Sequence, residues 1–212
     1  MSILAPPLTL LYRLDRLRGM TLAWLSHSAN ALLYCAVVVV LGVGTSLYAI
    51  DAGTRLTTLR NGPWVMWTQA GQREVDPYTR ARYAKIGALP VSSTIAATWE
   101  ARFDADGRRL HSSCEYLLEG DPIDASWFNI AVYDDNGLLI PNAAERYSFT
   151  SQSLASNPDG SFFIVLARDA RPGNWLPVGG AGRLVLVLTI LEPKPAADAT
   201  RVLPTIRKIG CR

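Results

Sequence analysis

Histidine is nearly absent from this chain. His27 and His111 are the two in 212 residues, so a histidine-rich metal site cannot be built. A serine hydrolase would have to use His111 as its base, with Ser112 and Ser113 beside it. Successive strand residues point to opposite faces, which argues against a shared proton, and the Gly-x-Ser-x-Gly motif is missing. Lysine-rich runs and basic-aromatic stripes are missing too: 21 basic residues are scattered along the chain with 18 acidic ones, which excludes nucleic acid as the expected partner. Carboxylates are available, but Asp104, Asp106, Glu119, Asp121, Asp124, Asp134, Asp135 and Asp159 nearly all lie beside Gly, Asn or Pro. That is where aspartate is favoured for its backbone hydrogen bonds, so turn chemistry outweighs a glycosidase pair. A calcium clip in Asp134-Asp135-Asn136-Gly137 or Asn157-Pro158-Asp159-Gly160 stays open as an alternative, although neither loop has the regular spacing of an EF-hand. No catalytic residue, metal ligand or cofactor is assigned.

Charge is absent from one long stretch as well. Ser28 to Ile50 contains no Asp, Glu, Lys, Arg or His, and its centre reads Leu32-Leu33-Tyr34-Cys35-Ala36-Val37-Val38-Val39-Val40-Leu41-Gly42-Val43. A helix of about 20 such residues crosses a hydrocarbon layer of roughly 30 Å, and a water-facing helix could not hide apolar side chains all the way round. We read this segment as a transmembrane signal anchor. Cys35 within it reads as a small buried hydrophobe. Before it, Leu10, Leu14 and Leu17 recur at helical spacing with Arg13, Asp15, Arg16 and Arg18 between them. This is either a helix lying in the headgroup layer or the polar flank of the anchor. Pro6-Pro7 stop any helix from beginning earlier.

Arg13, Arg16 and Arg18 precede the span, while Asp51 follows it directly. The positive-inside bias favours an amino terminus in the cytoplasm and a periplasmic domain. A cleaved signal peptide competes with this reading, but the charged segment is long, the apolar run exceeds a usual signal core, and Ser46-Leu47-Tyr48-Ala49 is a poor cleavage site. In such a compartment Cys114 and Cys211 either form a disulfide or remain free thiols. A bridge would close a loop of roughly 100 residues, worth about 4–5 kcal/mol in the chain-entropy model.

Beyond the anchor, Gly62 to Thr68 reads as a short strand. Asp76-Pro77 offers an N-cap with proline at the first helical position, and Gly87 offers the stop, so a helix is expected over Pro77–Ile86 with Arg80, Arg82 and Lys85 on a solvated face. From there the period changes to two. Ile95 to Phe103 and Arg109 to Leu118 flank Asp104-Ala105-Asp106-Gly107 as a hairpin, and strands follow over Trp127–Tyr133, Arg146–Thr150, Ser161–Ala167 and Arg183–Leu191. The last is apolar at both alternating sets of positions and should be a central strand buried on both faces. Short strands joined by Gly, Asn, Asp and Pro turns argue for an all-β antiparallel sandwich with one short helix, preceded by the transmembrane helix. The expected organisation is a tail over 1–27, the anchor over 28–50, a linker over 51–94, the sandwich over 95–191, and an extended strap over 192–212.

Several motifs together resemble one family. Cys114-Glu115-Tyr116, Gly120-Asp121, Ala125-Ser126-Trp127-Phe128-Asn129-Ile130-Ala131-Val132-Tyr133-Asp134, Arg146-Tyr147-Ser148-Phe149, Asp159-Gly160-Ser161 and Asn174-Trp175-Leu176-Pro177 are similar to the DUF1214 domain, over roughly Ile95 to Leu191. The resemblance implies a jelly-roll-like sandwich without an established activity. Larger relatives carry a DUF1254 domain in the same chain, so a DUF1254-type partner is implied for a short anchored version. Where relatives end the last strand in Arg-Leu-Tyr, this chain has Thr189-Ile190-Leu191, so any role of that arginine toward an anion is lost.

Trp175, Asn174, Arg146 and Trp127 are the candidate ligand-binding residues, since sandwich domains bind sugars or lipid-like groups through aromatic rings with polar neighbours. Trp127, within an alternating strand, competes as a core residue, and Asn174 as the cap of its own turn. The expected function is a non-catalytic assembly module of the bacterial inner membrane whose partners are the lipid bilayer and other membrane or envelope proteins. The alternatives are a carbohydrate- or lipid-binding envelope domain, enzymatic or not, and an accessory subunit of a membrane complex with Tyr34, Gly42 and Gly44 as helix contact points.

Overall fold

The computed structural model describes residues 8–191 and 201–211, with side chains from Trp24 onward. The chain divides into two units, residues 1–51 and 52–212.

The first unit is helical. Helix α1 (Leu8–Ala52) is continuous for 45 residues. The expected tail and anchor are therefore backbone segments of one helix, and the described helix begins directly after Pro6-Pro7. The side chains of Leu10, Leu14, Leu17 and the three arginines lie outside the described ones. Within the stretch Trp24–Ala52 an 18-residue window reaches a mean hydropathy of 2.1, and only 6% of that window is buried, unlike the core helix of a globular domain. At 1.5 Å per residue the 29 residues of the stretch extend about 43 Å, enough to cross a membrane. Thr45 donates its hydroxyl to the Leu41 carbonyl (2.7 Å), so even its polar group needs no outside partner. Cys35 is a free thiol on the exposed surface of α1 rather than in a core of this chain.

The second unit is a two-sheet sandwich. Its elements are β1 (Thr58–Asn61), β2 (Trp64–Trp67), α2 (Pro77–Ile86), β3 (Ala96–Ala101), β4 (Cys114–Gly120), β5 (Trp127–Asp134), β6 (Ser148–Thr150), β7 (Phe162–Ala167), β8 (Trp175–Pro177), β9 (Leu184–Leu191) and β10 (Thr205–Cys211). One sheet has the order β1-β2-β3-β9-β5-β6 and the other β10-β4-β7-β8. Helix α2 occupies the expected residues for the expected reasons. Asp76 accepts the amides of Tyr78 (2.9 Å) and Thr79 (3.0 Å), and Gly87 closes the helix in the left-handed region at φ 66°.

The core lies between the sheets and follows the period of two. Trp99 of β3, Leu184, Leu186, Leu188 and Ile190 of β9, and Ile130 of β5 meet Tyr116 and Leu118 of β4, Ile164 and Leu166 of β7, and Leu176 of β8, all in one buried cluster. Phe128 and Phe162 stack across the gap at 5.9 Å between centroids. Strand β9 is central, paired with β3 and β5 along its length, as its composition predicts. Its other face is covered only in part: Val185 is buried, whereas Val187, Thr189 and Leu191 are half-buried.

Several expectations are corrected. Phe103 and Arg109 pair around the Asp104–Gly107 turn, but the hairpin stops there: β3 joins the six-stranded sheet and β4 the four-stranded one. The supposed linker contributes β1 and β2 to the larger sheet, so it belongs to the sandwich. The sandwich is not wholly antiparallel, because β7 and β8 run parallel. The Pro-rich part of the strap, Glu192–Ala197, lies outside the described residues. Its end is strand β10, which pairs with β4 and places Ile206 in the core. Periodicity hid β10, since only Ile206 of its side chains is fully buried.

Candidate functional site

Arg146 and Trp175 meet at the β8 edge, and Asn174 directly precedes Trp175 in the chain. The Arg146 guanidinium lies over the rings of Trp175 (5.9 Å) and Phe149 (5.7 Å) and donates to the Trp175 carbonyl at 3.4 Å. The Trp175 indole N–H is satisfied by the Ala167 carbonyl at 3.1 Å. Asn174 is buried and its amide is fully engaged: Oδ1 accepts the Ala155 amide (2.9 Å), while Nδ2 donates to the carbonyls of Ala155 (2.8 Å) and Phe163 (2.9 Å). It holds the 155 loop to β7 and presents no polar atom to a ligand. Trp127 is elsewhere. Phe128, Ile130 and Val132 take the inward positions of β5, so Trp127 lies half-buried on the outer face of the larger sheet, neither in the core nor beside Trp175.

Strand parity does not separate His111 from Ser113. Ser112 and Ser113 form a turn between a single bridge at His111 and the start of β4, and His111 Nδ1 lies 2.8 Å from Ser113 Oγ while accepting the Ser113 amide at 3.1 Å. Both side chains are exposed, and the ring folds back on its own turn.

Asp104, Asp134 and Asp159 act as turn formers. Asp134 Oδ1 accepts the amides of Asn136 (2.9 Å) and Leu138 (2.8 Å), and Asp104 Oδ1 accepts those of Asp106 (3.0 Å) and Arg108 (2.8 Å). The Leu138 amide foremost holds the Asp134 carboxyl below its ordinary value, and the Ser161 hydroxyl does the same for Asp159. Among the described residues no three His, Cys, Asp or Glu side chains converge on a metal position.

An arginine-carboxylate network that the sequence reading missed ties α2 to the outer face of the larger sheet. Asp135 receives Arg102 (3.1 Å), Arg109 and Arg183 (3.6 Å), and Glu100 receives Arg102 (3.4 Å) and Arg82 (3.5 Å). Arg82 also lies over the Trp67 ring at 5.3 Å. It is buried, which corrects its place on a solvated face; Arg80 and Lys85 are exposed. Burial, reinforced by the Glu100 charge and opposed by Arg82, pushes the Tyr83 hydroxyl up to about 12.

Two open recesses mark the surface. One of about 540 Å³ is walled by Val75, Thr79, Tyr83, Ala84, Leu89 and Pro90, with Arg80 also lining it. The other, about 340 Å³, lies among Glu119, Asp121, Asn157, Phe163, Val202 and Leu203. None of Arg146, Asn174, Trp175 and Trp127 lines either one.

The chain is closed by a disulfide between Cys114 and Cys211, which face each other across β4 and β10. Beside it Glu115 binds Arg171, and toward the other end of β4 Glu119 binds Arg207 at 3.2 Å.

Comparison with known proteins places this architecture. The VPA0106 protein of Vibrio parahaemolyticus has a similar fold, with a TM-score of 0.57 at 19% identity over 79% of this chain and 42% of that one. An uncharacterised protein of Burkholderia cenocepacia matches at a TM-score of 0.37 and 20% identity, over 54% of this chain and 29% of that one. This chain thus spans less than half the length of the solved structures it matches. No curated protein matches it. The family model described as a protein of unknown function, DUF1214, matches residues 95–195, the stretch that carries the Trp127 and Asn174-Trp175 motifs. Residues 95–195 are therefore a DUF1214 domain.

Proposed function

We propose that this chain is a single-pass protein of the bacterial inner membrane, with its amino terminus in the cytoplasm and its sandwich in the periplasm, and that the sandwich is a non-catalytic assembly module. The observation that carries this reading is the direct succession of an apolar helix, Trp24–Ala52, and a sandwich whose first strand begins at Thr58. The Cys114–Cys211 bridge supports an oxidising compartment, and the arginines before the span support the orientation. Half-buried Trp127, Tyr133, Val187 and Leu191 on the outer face of the larger sheet support contact with other envelope proteins, a DUF1254-type domain among them.

The alternative is an envelope domain that binds carbohydrate or lipid at Arg146 and Trp175. It has only exposed Arg146 and half-buried Trp175 to draw on, because Asn174 is engaged in the fold. Mild detergent extraction from the native membrane, followed by sizing and mass spectrometry, tests the assembly reading. A defined complex is expected. A uniformly monomeric protein overturns it.

A further inference from the structure

The segment between the apolar helix and β3 combines positive charge with exposed apolar side chains. From Asp51 to Thr94 six basic residues stand against three acidic ones. Leu56 is 90% exposed, Leu89 98%, Val91 56% and Ile95 55%.

Hydrogen bonds gather these residues at one end of the sandwich. The Thr57 carbonyl accepts both the amide (3.1 Å) and the hydroxyl (3.2 Å) of Thr68. The Thr68 carbonyl accepts the Ser93 hydroxyl at 3.0 Å, and Gln72 donates to Ser93 at 2.9 Å. Gly71, at φ +66°, lets the loops touch: a Cβ there would lie 2.6 Å from the backbone of Val91 and Ser92. Leu56, Leu89 and Val91 therefore lie on neighbouring, bonded loops, with exposed Arg55, Arg73 and Arg80 among them. This is the end where Ala96, Leu191 and Trp127 stand side by side in the larger sheet. Leu138 lies past the opposite end, beyond Asp134, about 25 Å away along β5.

We propose that this end of the sandwich docks on the surface of an anionic bilayer, with Leu56, Leu89 and Val91 entering the interfacial layer and Arg55, Arg73 and Arg80 facing lipid phosphates. Lipid is the occupant because of the tether: Leu56 follows the last residue of the apolar helix by four positions, at most about 14 Å of extended chain. Leucines interspersed with arginines, and a tryptophan at the margin, are what an interfacial surface requires. The inference rests on reading the helix as a membrane anchor.

The test uses the full chain with Cys35→Ala in nanodiscs, its disulfide intact, carrying an environment-sensitive fluorophore on Leu89→Cys or Leu138→Cys. Both side chains are exposed, so labelling displaces no packing. With headgroup-quencher lipid in phosphatidylglycerol-containing discs, quenching at position 89 should exceed that at 138 by at least about threefold. The excess should shrink in high salt and in pure phosphatidylcholine discs. Equal quenching at both positions, with the protein still in the discs, overturns docking while the anchor stands, and leaves Leu89 and its neighbours to a protein partner. Protein recovered outside the discs removes the anchor reading and this inference with it.

Discussion

Replacing both Cys114 and Cys211 by alanine removes a bridge across a sequence separation of 97 residues, which encloses most of the sandwich. A closed loop of that length lowers the entropy of the unfolded chain by an amount worth about 4.7 kcal/mol at 25 °C. The native state should lose much less. Strand β10 is still paired with β4 from Thr205 to Lys208, Ile206 is fully buried, and the Trp64 indole still donates to the Pro204 carbonyl at 2.7 Å. The loss should therefore come from a larger, more open unfolded ensemble rather than from a detached strand. With a urea dependence of about 2 kcal/mol per molar, the unfolding midpoint should fall by about 2 M, and thermal unfolding should come about 10–20 °C earlier. Tryptophan fluorescence during urea titration of the full chain reads the first quantity, and hydrogen exchange in native buffer reads the second part of the argument. The Ile206 amide should stay protected in the double variant. A midpoint shift below about 0.5 M would refute the unfolded-state account. Loss of protection throughout β10 without denaturant would show instead that the bridge itself holds the strand.

Four further outcomes follow from particular contacts. Asn174→Ala should cost about 2–4 kcal/mol in urea unfolding, because it strands polar groups of Ala155 and Phe163, whereas exposed Arg146→Ala should cost under about 1 kcal/mol; similar losses would contradict the structural role given to Asn174. Trp64→Phe should destabilise more than Trp99→Phe by about 1 kcal/mol, since the first strands the Pro204 carbonyl and the second removes a buried N–H that has no partner among the described residues. Tyr83 has a folded pKa raised from 10.0 to about 12, so its stabilising contribution is complete below pH 10 and is lost as pH rises toward 12. Tyr83→Phe should flatten that alkaline decline in thermal melts, and an unchanged slope would count against it. Asp134 and Asp159 have lowered values, so their contributions are complete above their ordinary pKa of 3.8 and are lost as pH falls through the lowered folded values. Replacing both by Asn should reduce the acid sensitivity of the melting temperature, and an acid limb identical to the parent's would exclude them.

Local signals were the legible part of this protein. Asp76, Pro77 and Gly87 each satisfy or remove a specific backbone group, so α2 could be read to the residue. The central place of β9 was legible because Leu184, Leu186, Leu188 and Ile190 alternate with Val185 and Val187, a density of apolar residues that no edge strand requires. The Asp104–Gly107 turn was equally clear, but a turn specifies only the few pairs next to it, and which sheet the chain then enters depends on packing further away. The candidate site divides in the same way. Trp175 and Arg146 come together, yet the inward parity of Phe128, Ile130 and Val132 sends Trp127 to the opposite face of its strand, and three backbone partners from two other segments bury Asn174. Nothing within ten residues of Arg82 announces Glu100 as its partner, so its burial was invisible until the sheet was assembled.

The sequence by itself therefore determined an apolar helix long enough for a membrane, a β-rich domain after it, one capped helix and the family of that domain, because each depends on composition, period or motif read over a short window. Tertiary structure alone decided that β1, β2 and β10 complete the sheets, that Cys114 and Cys211 stand in register, and that Leu56, Leu89 and Val91 share one end of the domain. Those outcomes depend on pairings between distant segments, which are settled by how the two sheets bury their inner faces and which leave little trace in the local order of residues.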